Sequence, residues 1–544
     1  MSVNLHIGHV IEVKASRVTI ELATTVEDLY RTYQSRKYTV GQIGSIVKVT
    51  AGDILIFGVV LSLKMVEIED NKSAWTSDSK WLEIDLIGQG LKYGLEEDSF
   101  TFRRGVSTFP LPGHKAYICT TKELARLFLL PDEPHIRLGQ VAQASSLSVF
   151  ARVDALLGRH FAVLGTTGSG KSCAVASILH EIISSMPFGH MVVLDLHDEY
   201  AAAFRELSYQ VDPTKIEIPH WFLNFEESVE LFIGKTEFVA TRQANILKDG
   251  ILAAKESFAR ENGIEVPITP DTPVPYTIGA LKNNIEVGAP NAAAQREPYE
   301  KILGKLRSLQ QDRRLSFLVL EDDRVRDSLS EILSQILRCP TNNLPLTIIN
   351  LAGVPSEVVD LMVSVLARVI FDFAVWAPSG KRMPIALLCE EAHRYIPKGQ
   401  EAAFEPARRS LERIAKEGRK YGVGLGLISQ RPAEVSDTVL AQCSTVFAMR
   451  ITNETDQLFV QRMLPDNMRS MSGVLSSLRT GESLVVGEAV SMPTRFIFDK
   501  LDEASQPRSQ DVVFSEHWCE ERFDRSYVEE VVGAWRAQRR ASTQ

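Results

Sequence analysis

The chain has 544 residues, enough for three or four domain-sized units and ample core. An apolar share of 44% and a charged share of 24% are ordinary for a soluble globular protein. A net charge of −9 excludes a protein coated in basic surface, so any nucleic-acid contact must sit in a local groove or channel.

The N-terminal sequence shows no signal-peptide pattern, and no apolar run approaches membrane-spanning length, so a cytoplasmic chain with no membrane partner is expected. Cysteines 119, 173, 339, 389, 443 and 519 lie far apart without a C-x-x-C pair, which speaks against zinc or a disulfide framework and suits a reducing compartment. Residues 1–115 carry short β-branched runs without helices between them: Val10–Lys14, Arg17–Leu22, Ile43–Val49, Ile54–Val60 and Trp81–Ile87. That pattern predicts a small N-terminal β-barrel. The charged stretch Glu69–Lys80 reads as a solvated loop, and 110–134 as a linker with a short helix at Thr121.

An ATPase core is predicted over 116–224 and 336–504, entered by two or three strands between His135 and Leu157. Next comes the apolar run Phe161–Leu164, then Gly165-Thr166-Thr167-Gly168-Ser169-Gly170-Lys171-Ser172, which fits the P-loop pattern G-x-x-x-x-G-K-[ST]. Backbone N–H groups must wrap a polyphosphate closely, which favours glycine here, and the following helix from Cys173 turns its positive end toward the same anion. Lys171 is expected to reach the β and γ phosphates of ATP, and the Ser172 hydroxyl to ligate Mg²⁺. The strand His190–Leu196 ends in Asp195, Asp198 and Glu199, at the strand ends where parallel sheets place ligands, although an acid there also caps a helix.

Residues 225–335 break the α/β rhythm and read as a helical insertion, with a long helical pattern over Glu226–Asn262, a proline-rich loop and two further helices. Its cluster Lys301, Lys305, Arg307, Arg313 and Arg314 reads first as a solvated face. The α/β pattern returns at Leu346, followed by an apolar helix over Glu357–Trp376 that should be buried. The strand Pro384–Cys389 ends in Glu390-Glu391, the Walker B pattern, in which the first acid contacts Mg²⁺ and the second polarises the attacking water. A basic helix over 404–420 ends in Arg419-Lys420, and the strand after it ends in Ser429-Gln430-Arg431-Pro432. Gln430 is a candidate sensor of the γ phosphate, and Arg419 a candidate arginine finger for a neighbouring subunit. Strands at Thr445–Arg450 and Glu482–Glu488 complete the sheet, and 505–544 is a charged docking arm with one amphipathic helix over Tyr527–Arg539.

The P-loop, Leu194-Asp-Leu-His-Asp-Glu-Tyr, Cys389-Glu-Glu-Ala-His, Glu417-Gly-Arg-Lys-Tyr-Gly and Ser429-Gln-Arg-Pro occur in an order that resembles the HerA branch of the HerA/FtsK ATPases. The resemblance spans roughly residues 5–500. It implies an α/β, RecA-like core with a helical insertion behind an N-terminal barrel, assembled as a homo-hexamer that uses ATP and Mg²⁺ to translocate double-stranded DNA. It also implies a partner, either a NurA-type nuclease or, in bacterial defence operons, a sirtuin-like NADase or another nuclease effector. Carried over residue by residue, Lys171 and Ser172 bind nucleotide, Glu391 is catalytic, Arg419 is the arginine finger, and Arg159 is a second arginine for the subunit interface. Two positions depart from the family pattern: Glu390 stands for aspartate and Asp198 where glycine is usual. An alternative function is an ATP-dependent scaffold that assembles an effector enzyme without processive movement on DNA.

Overall fold

The computed structural model describes residues 5–536 apart from 27–29, 34–35, 69–76, 93–99, 129–131, 143, 212–217, 235–239, 400–404, 465, 509–514 and 516–523. It divides into two units, Met1–Pro507 and Arg508–Gln544.

The first part of the larger unit is all β. Its strands are β1 (His6–Lys14), β2 (Arg17–Leu22), a hairpin β3 (Tyr30–Tyr33) and β4 (Arg36–Thr39), β5 (Ile46–Ala51), β6 (Ile54–Ile68), β7 (Ser77–Lys92), β8 (Phe100–Arg104) and β9 (Lys115–Ile118). The sheet runs β2-β1-β9-β5-β6-β7-β8, and an added β2–β7 pairing closes six of these strands into a barrel. Alternation fills it: Val18 and Ile20, Val47 and Val49, Leu82 and Ile84 face one interior cluster. The opposite faces of β6 and β7 carry Phe57, Val59, Leu61 and Ile87 into the apolar cluster of the core that follows. Two boundaries differ from expectation. Strand β9 extends the barrel past residue 115, and residues 77–80 of the expected charged loop belong to β7, because Ser77–Lys80 pair with Met65–Ile68 of the long β6. The rest of that loop, 69–76, lies outside the described residues.

The core is one eleven-stranded sheet: β10 (His135–Val141), β11 (Ala144–Arg152), β12 (Phe161–Leu164), β13 (Met191–Asp195), β14 (Ser208–Val211), β15 (Leu346–Asn350), β16 (Ile385–Cys389), β17 (Val423–Ser429), β18 (Thr445–Ala448), β19 (Glu482–Gly487) and β20 (Thr494–Phe498). In space the order is β11-β10-β20-β19-β18-β12-β17-β16-β13-β15-β14. The seven strands from β18 to β14 are parallel, and β19, β20, β10 and β11 extend the sheet antiparallel. Continuous apolar runs such as Phe161-Ala-Val-Leu and Ile385-Ala-Leu-Leu-Cys are buried at every position, as sheets covered on both faces require. The helix Ser356–Trp376 is buried along most of its length, as its composition predicts.

The insertion hangs between β14 and β15 and carries helices Phe225–Phe232, Ala240–Glu261, Ile278–Val287, Ala293–Gln311 and Leu329–Ile336. The single long helix expected from Glu226 is two helices. The first is started by a capping box between Asn224 and Glu227 and stops at Ile233, just before a left-handed Gly234. In the basic cluster, Lys301 pairs with Glu297, Arg307 with Glu286 and Arg314 with Asp312, as a solvated face would. In the second unit the described helix is Arg525–Arg536, with no buried residue, and 537–539 lie outside the described residues. No helix among the described residues is long and apolar enough to cross a membrane.

Candidate active site

The loop Gly165–Ser172 joins β12 to the helix Lys171–Ser185 at the carboxyl end of the parallel sheet. Gly168 and Gly170 have φ of +73° and +94°, a left-handed backbone that other residues adopt only with strain. A Cβ on Gly165 would stand 2.8 Å from Ser169 Oγ. The Thr166 carbonyl collects Ser169 Oγ at 2.6 Å and Lys171 Nζ at 3.2 Å. Cys173 is exposed on the first helical turn.

Strand β17 lies between the P-loop strand and β16, so Gln430 and Glu391 arrive beside the loop from adjacent strand ends. The Thr167 hydroxyl donates to Gln430 Oε1 at 2.6 Å, and the Gly165 N–H to the Ser429 carbonyl at 3.2 Å. Glu391 is buried with a left-handed backbone, φ +48°. Its Oε2 has no hydrogen-bond partner although His393 Nδ1 stands 3.2 Å away, because that nitrogen is not aligned on it and instead meets Ser429 Oγ at 3.3 Å. His197 Nε2 lies 3.9 Å from Glu391 Oε1. Burial raises the Glu391 carboxyl above its ordinary value, against the pull of Lys171 and His197. Burial lowers Lys171, against the pull of Glu391, Glu199 and Glu390.

The acids divide by position. Asp195 is fully buried and accepts the N–H groups of His197 at 3.2 Å, Glu199 at 3.3 Å and Tyr200 at 3.0 Å, which shapes the turn after β13. Glu390 accepts the Leu196 N–H at 3.1 Å. Desolvation first, then the neighbouring Asp195 and Glu199, push its carboxyl well above the carboxylate range. Glu199, not Glu390, touches the Ser172 hydroxyl. Asp198 sits at φ +57°, the backbone region that favours glycine. Among the described residues no cluster of three or more His, Cys, Asp or Glu is arranged to hold a metal ion.

Two arginines lie apart from this cluster. Arg419 is exposed near the end of helix Glu405–Tyr421, and its guanidinium has no hydrogen-bond or ion-pair partner among the described residues. Arg159, before β12, pairs with Glu488. Sequence reasoning missed Arg450, His197 and His393 as neighbours of the site. Arg450 was open to discovery as a cation just past the carboxyl end of a strand that pairs with β12.

The family model of the helicase HerA central domain matches residues 136–370, which include the P-loop and Glu199 but not Glu390 and Glu391. A probable helicase of Methanocaldococcus jannaschii is 27% identical over 403 residues, covering 72% of this chain and 72% of its own. The DNA double-strand break repair helicase HerA of Sulfolobus acidocaldarius is 24% identical over 403 residues, covering 72% of this chain and 74% of its own. Over these stretches the chain is similar to HerA-type ATPases. Both relatives are archaeal, so they lend no support to the bacterial setting that the resemblance suggested. VirB4 of Thermoanaerobacter pseudethanolicus shares the fold, with a TM-score of 0.51 at 15% identity over 70% of this chain and 99% of that one. The matched stretch 136–370 holds the P-loop and the helical insertion between β14 and β15.

Proposed function

We propose that this chain is a HerA-type ATPase, a homo-hexameric motor that translocates double-stranded DNA, working with a partner nuclease or defence effector. The observation that carries the hydrolytic part is the juxtaposition of Lys171, the buried Glu391 with one unbonded oxygen, and Gln430 around a loop with two left-handed glycines. Lys171 and the loop amides would hold the phosphates. Ser172, with Glu390 or Glu199, would hold Mg²⁺, which supplies charge neutralisation on the phosphates. Glu391 would draw a proton from the attacking water, and Gln430 would orient that water or the γ phosphate. Arg419, exposed and without a pairing partner among the described residues, would serve a nucleotide on a neighbouring copy, with Arg159 at the same subunit interface.

DNA as the track is supported by the similarity to the archaeal relative named as a double-strand break repair helicase. A chain of net charge −9 must then bind it through a local basic lining, with affinity that falls steeply with salt and depends little on base sequence. Labelled duplexes of unrelated sequence, titrated at two salt concentrations with ATPase measured in parallel, test this. Salt-sensitive binding and DNA-stimulated hydrolysis are expected. No binding by the isolated protein at low salt would favour the scaffold reading instead.

A further inference from the structure

The phosphate loop is gripped on its outer side by two segments to which the hydrolytic reading gives no task. The first follows β18. There the Met449 N–H donates to the Leu164 carbonyl at 2.8 Å, and the Arg450 carbonyl accepts both the Thr166 N–H at 2.9 Å and the Thr166 hydroxyl at 3.0 Å. The Arg450 guanidinium then donates to the Gly168 carbonyl at 2.8 Å. The second segment precedes β19. Thr480 Oγ1 donates to the same Gly168 carbonyl at 3.3 Å, and the Gly481 N–H to the Ser169 carbonyl at 2.9 Å. The approach is close, since a Cβ on Gly170 would stand 3.1 Å from the Gly481 nitrogen. This second turn is itself fixed by the fully buried Glu482, which accepts the Arg479 N–H at 3.0 Å and Nε at 3.2 Å and also binds Arg495.

Two side-chain donors therefore converge on one carbonyl in the middle of the loop. A peptide unit is planar, so a group held at its oxygen is held at its nitrogen as well, and the Gly168–Ser169 peptide loses its freedom to turn. Gly168 and its neighbour Gly170 are where that freedom would otherwise be greatest, because both occupy left-handed backbone.

We propose that Arg450, assisted by Thr480, is a positioning residue of the nucleotide site. It acts through the Gly168 carbonyl and sets the loop in its binding shape before the ligand arrives, so that less order must be imposed on binding. The inference rests on reading this loop as the ATP site. It gives the antiparallel part of the sheet a task, since that part delivers the second clamp against the P-loop.

The test uses the full chain as wild type, Arg450→Ala, Arg450→Lys and Thr480→Val. The readouts are the Kd of a fluorescent non-hydrolysable ATP analogue at low and high salt, kcat and KM for ATP, and thermal unfolding without nucleotide as a check on folding. Arg450→Ala should raise Kd and KM about tenfold and leave kcat within about threefold, the pattern of lost binding rather than lost chemistry. Arg450→Lys, which keeps a donor, should recover most of the affinity, and Thr480→Val should weaken binding about two- to threefold. The Ala-to-wild-type ratio should hold at high salt, because a short bond to a carbonyl is screened far less than a long-range pull on phosphate. An unchanged Kd in Arg450→Ala, or a ratio that collapses in high salt, overturns the inference. If Arg450→Ala fails to fold, the lysine and Thr480→Val variants carry the test on the same readouts. A wild-type chain that binds no nucleotide would sink the site reading itself.

Discussion

Glu391 combines two properties that a general base needs and that rarely coincide on a surface carboxylate. It is shielded from solvent, and its Oε2 has no hydrogen-bond partner among the described residues, with His393 Nδ1 3.2 Å away. Glu391→Gln should therefore keep nucleotide affinity and lower kcat by about 10²–10⁴, as loss of a positioned base does. Near-wild-type turnover in a single-turnover assay would move the role to Glu390 or Glu199. The pH profile follows from the same burial. A base must be ionised, and desolvation raises this carboxyl above its ordinary value, so the acid limb of kcat should lie at higher pH than for an exposed glutamate. The limb should vanish or move in Glu391→Gln. At this scale the strand, loop and helix around Gly165–Ser172 and the acids at the end of β16 were legible as placements, because glycine positions and apolar runs mark them. The sequence was silent on the division of labour among Asp195, Asp198 and Glu199. Only the turn after β13 shows that Asp195 receives three backbone N–H groups while Glu199 turns to Ser172. The backbone at Asp198 is left-handed, a conformation that glycine adopts at least steric cost.

Between barrel and core, one element carries a buried ion pair. The helix Thr121–Leu127 starts with a capping box at Thr120 and Glu123, and Glu123 also pairs with Lys48 of β5; their side chains are 2% and 6% exposed. Removing one partner leaves the other charged and dry. Lys48→Met should lower stability by about 3–5 kcal/mol in chemical denaturation, and adding Glu123→Gln, which removes the charge but keeps the capping-box acceptor, should recover most of it. A loss under about 1 kcal/mol would mean that water reaches Glu123. Strands buried on both faces were legible as apolar runs, and the barrel as alternation. Of the antiparallel extension, β10, β11 and β19 were legible as strands, and β20 was not. Its five residues, Thr494–Phe498, carry no local signal beyond a few β-formers, and one of its two partners, β10, is distant in sequence. The hairpin at β3 and β4 also escaped, because its two strands are only four residues each and lack a run of apolar residues.

For the whole molecule, the proposed hexamer would link oligomeric state to chemistry through Arg419. This arginine is exposed with no partner among the described residues, and on the proposed reading it serves a neighbour's nucleotide, where such a finger is worth roughly 10³-fold or more in rate. Rings mixed from Arg419→Ala and Glu391→Gln chains should regain activity that neither variant shows alone, measured as steady-state ATP hydrolysis against mixing ratio. A flat response would remove the support for action between subunits. Six copies of a chain with net charge −9 would also repel DNA at long range, which makes any duplex binding a direct report on the local lining.

The place where the insertion leaves and rejoins the sheet bears on how the chain reaches its native state. Strands β14 and β15 pair side by side, yet Val211 and Leu346 are separated by the whole of the insertion. Bringing such distant ends together costs entropy that grows only slowly with the length between them, so equilibrium stability tolerates the detour. Speed does not, because long-range parallel pairing forms late and leaves strand edges open meanwhile. The insertion helices have their own apolar contacts and can collapse early, shortening the effective distance between the two strands. Pulse-labelling hydrogen exchange during refolding should find protection in Ala240–Gln311 before β14 and β15, and a chain with this segment replaced by a flexible linker of equal length should refold more slowly.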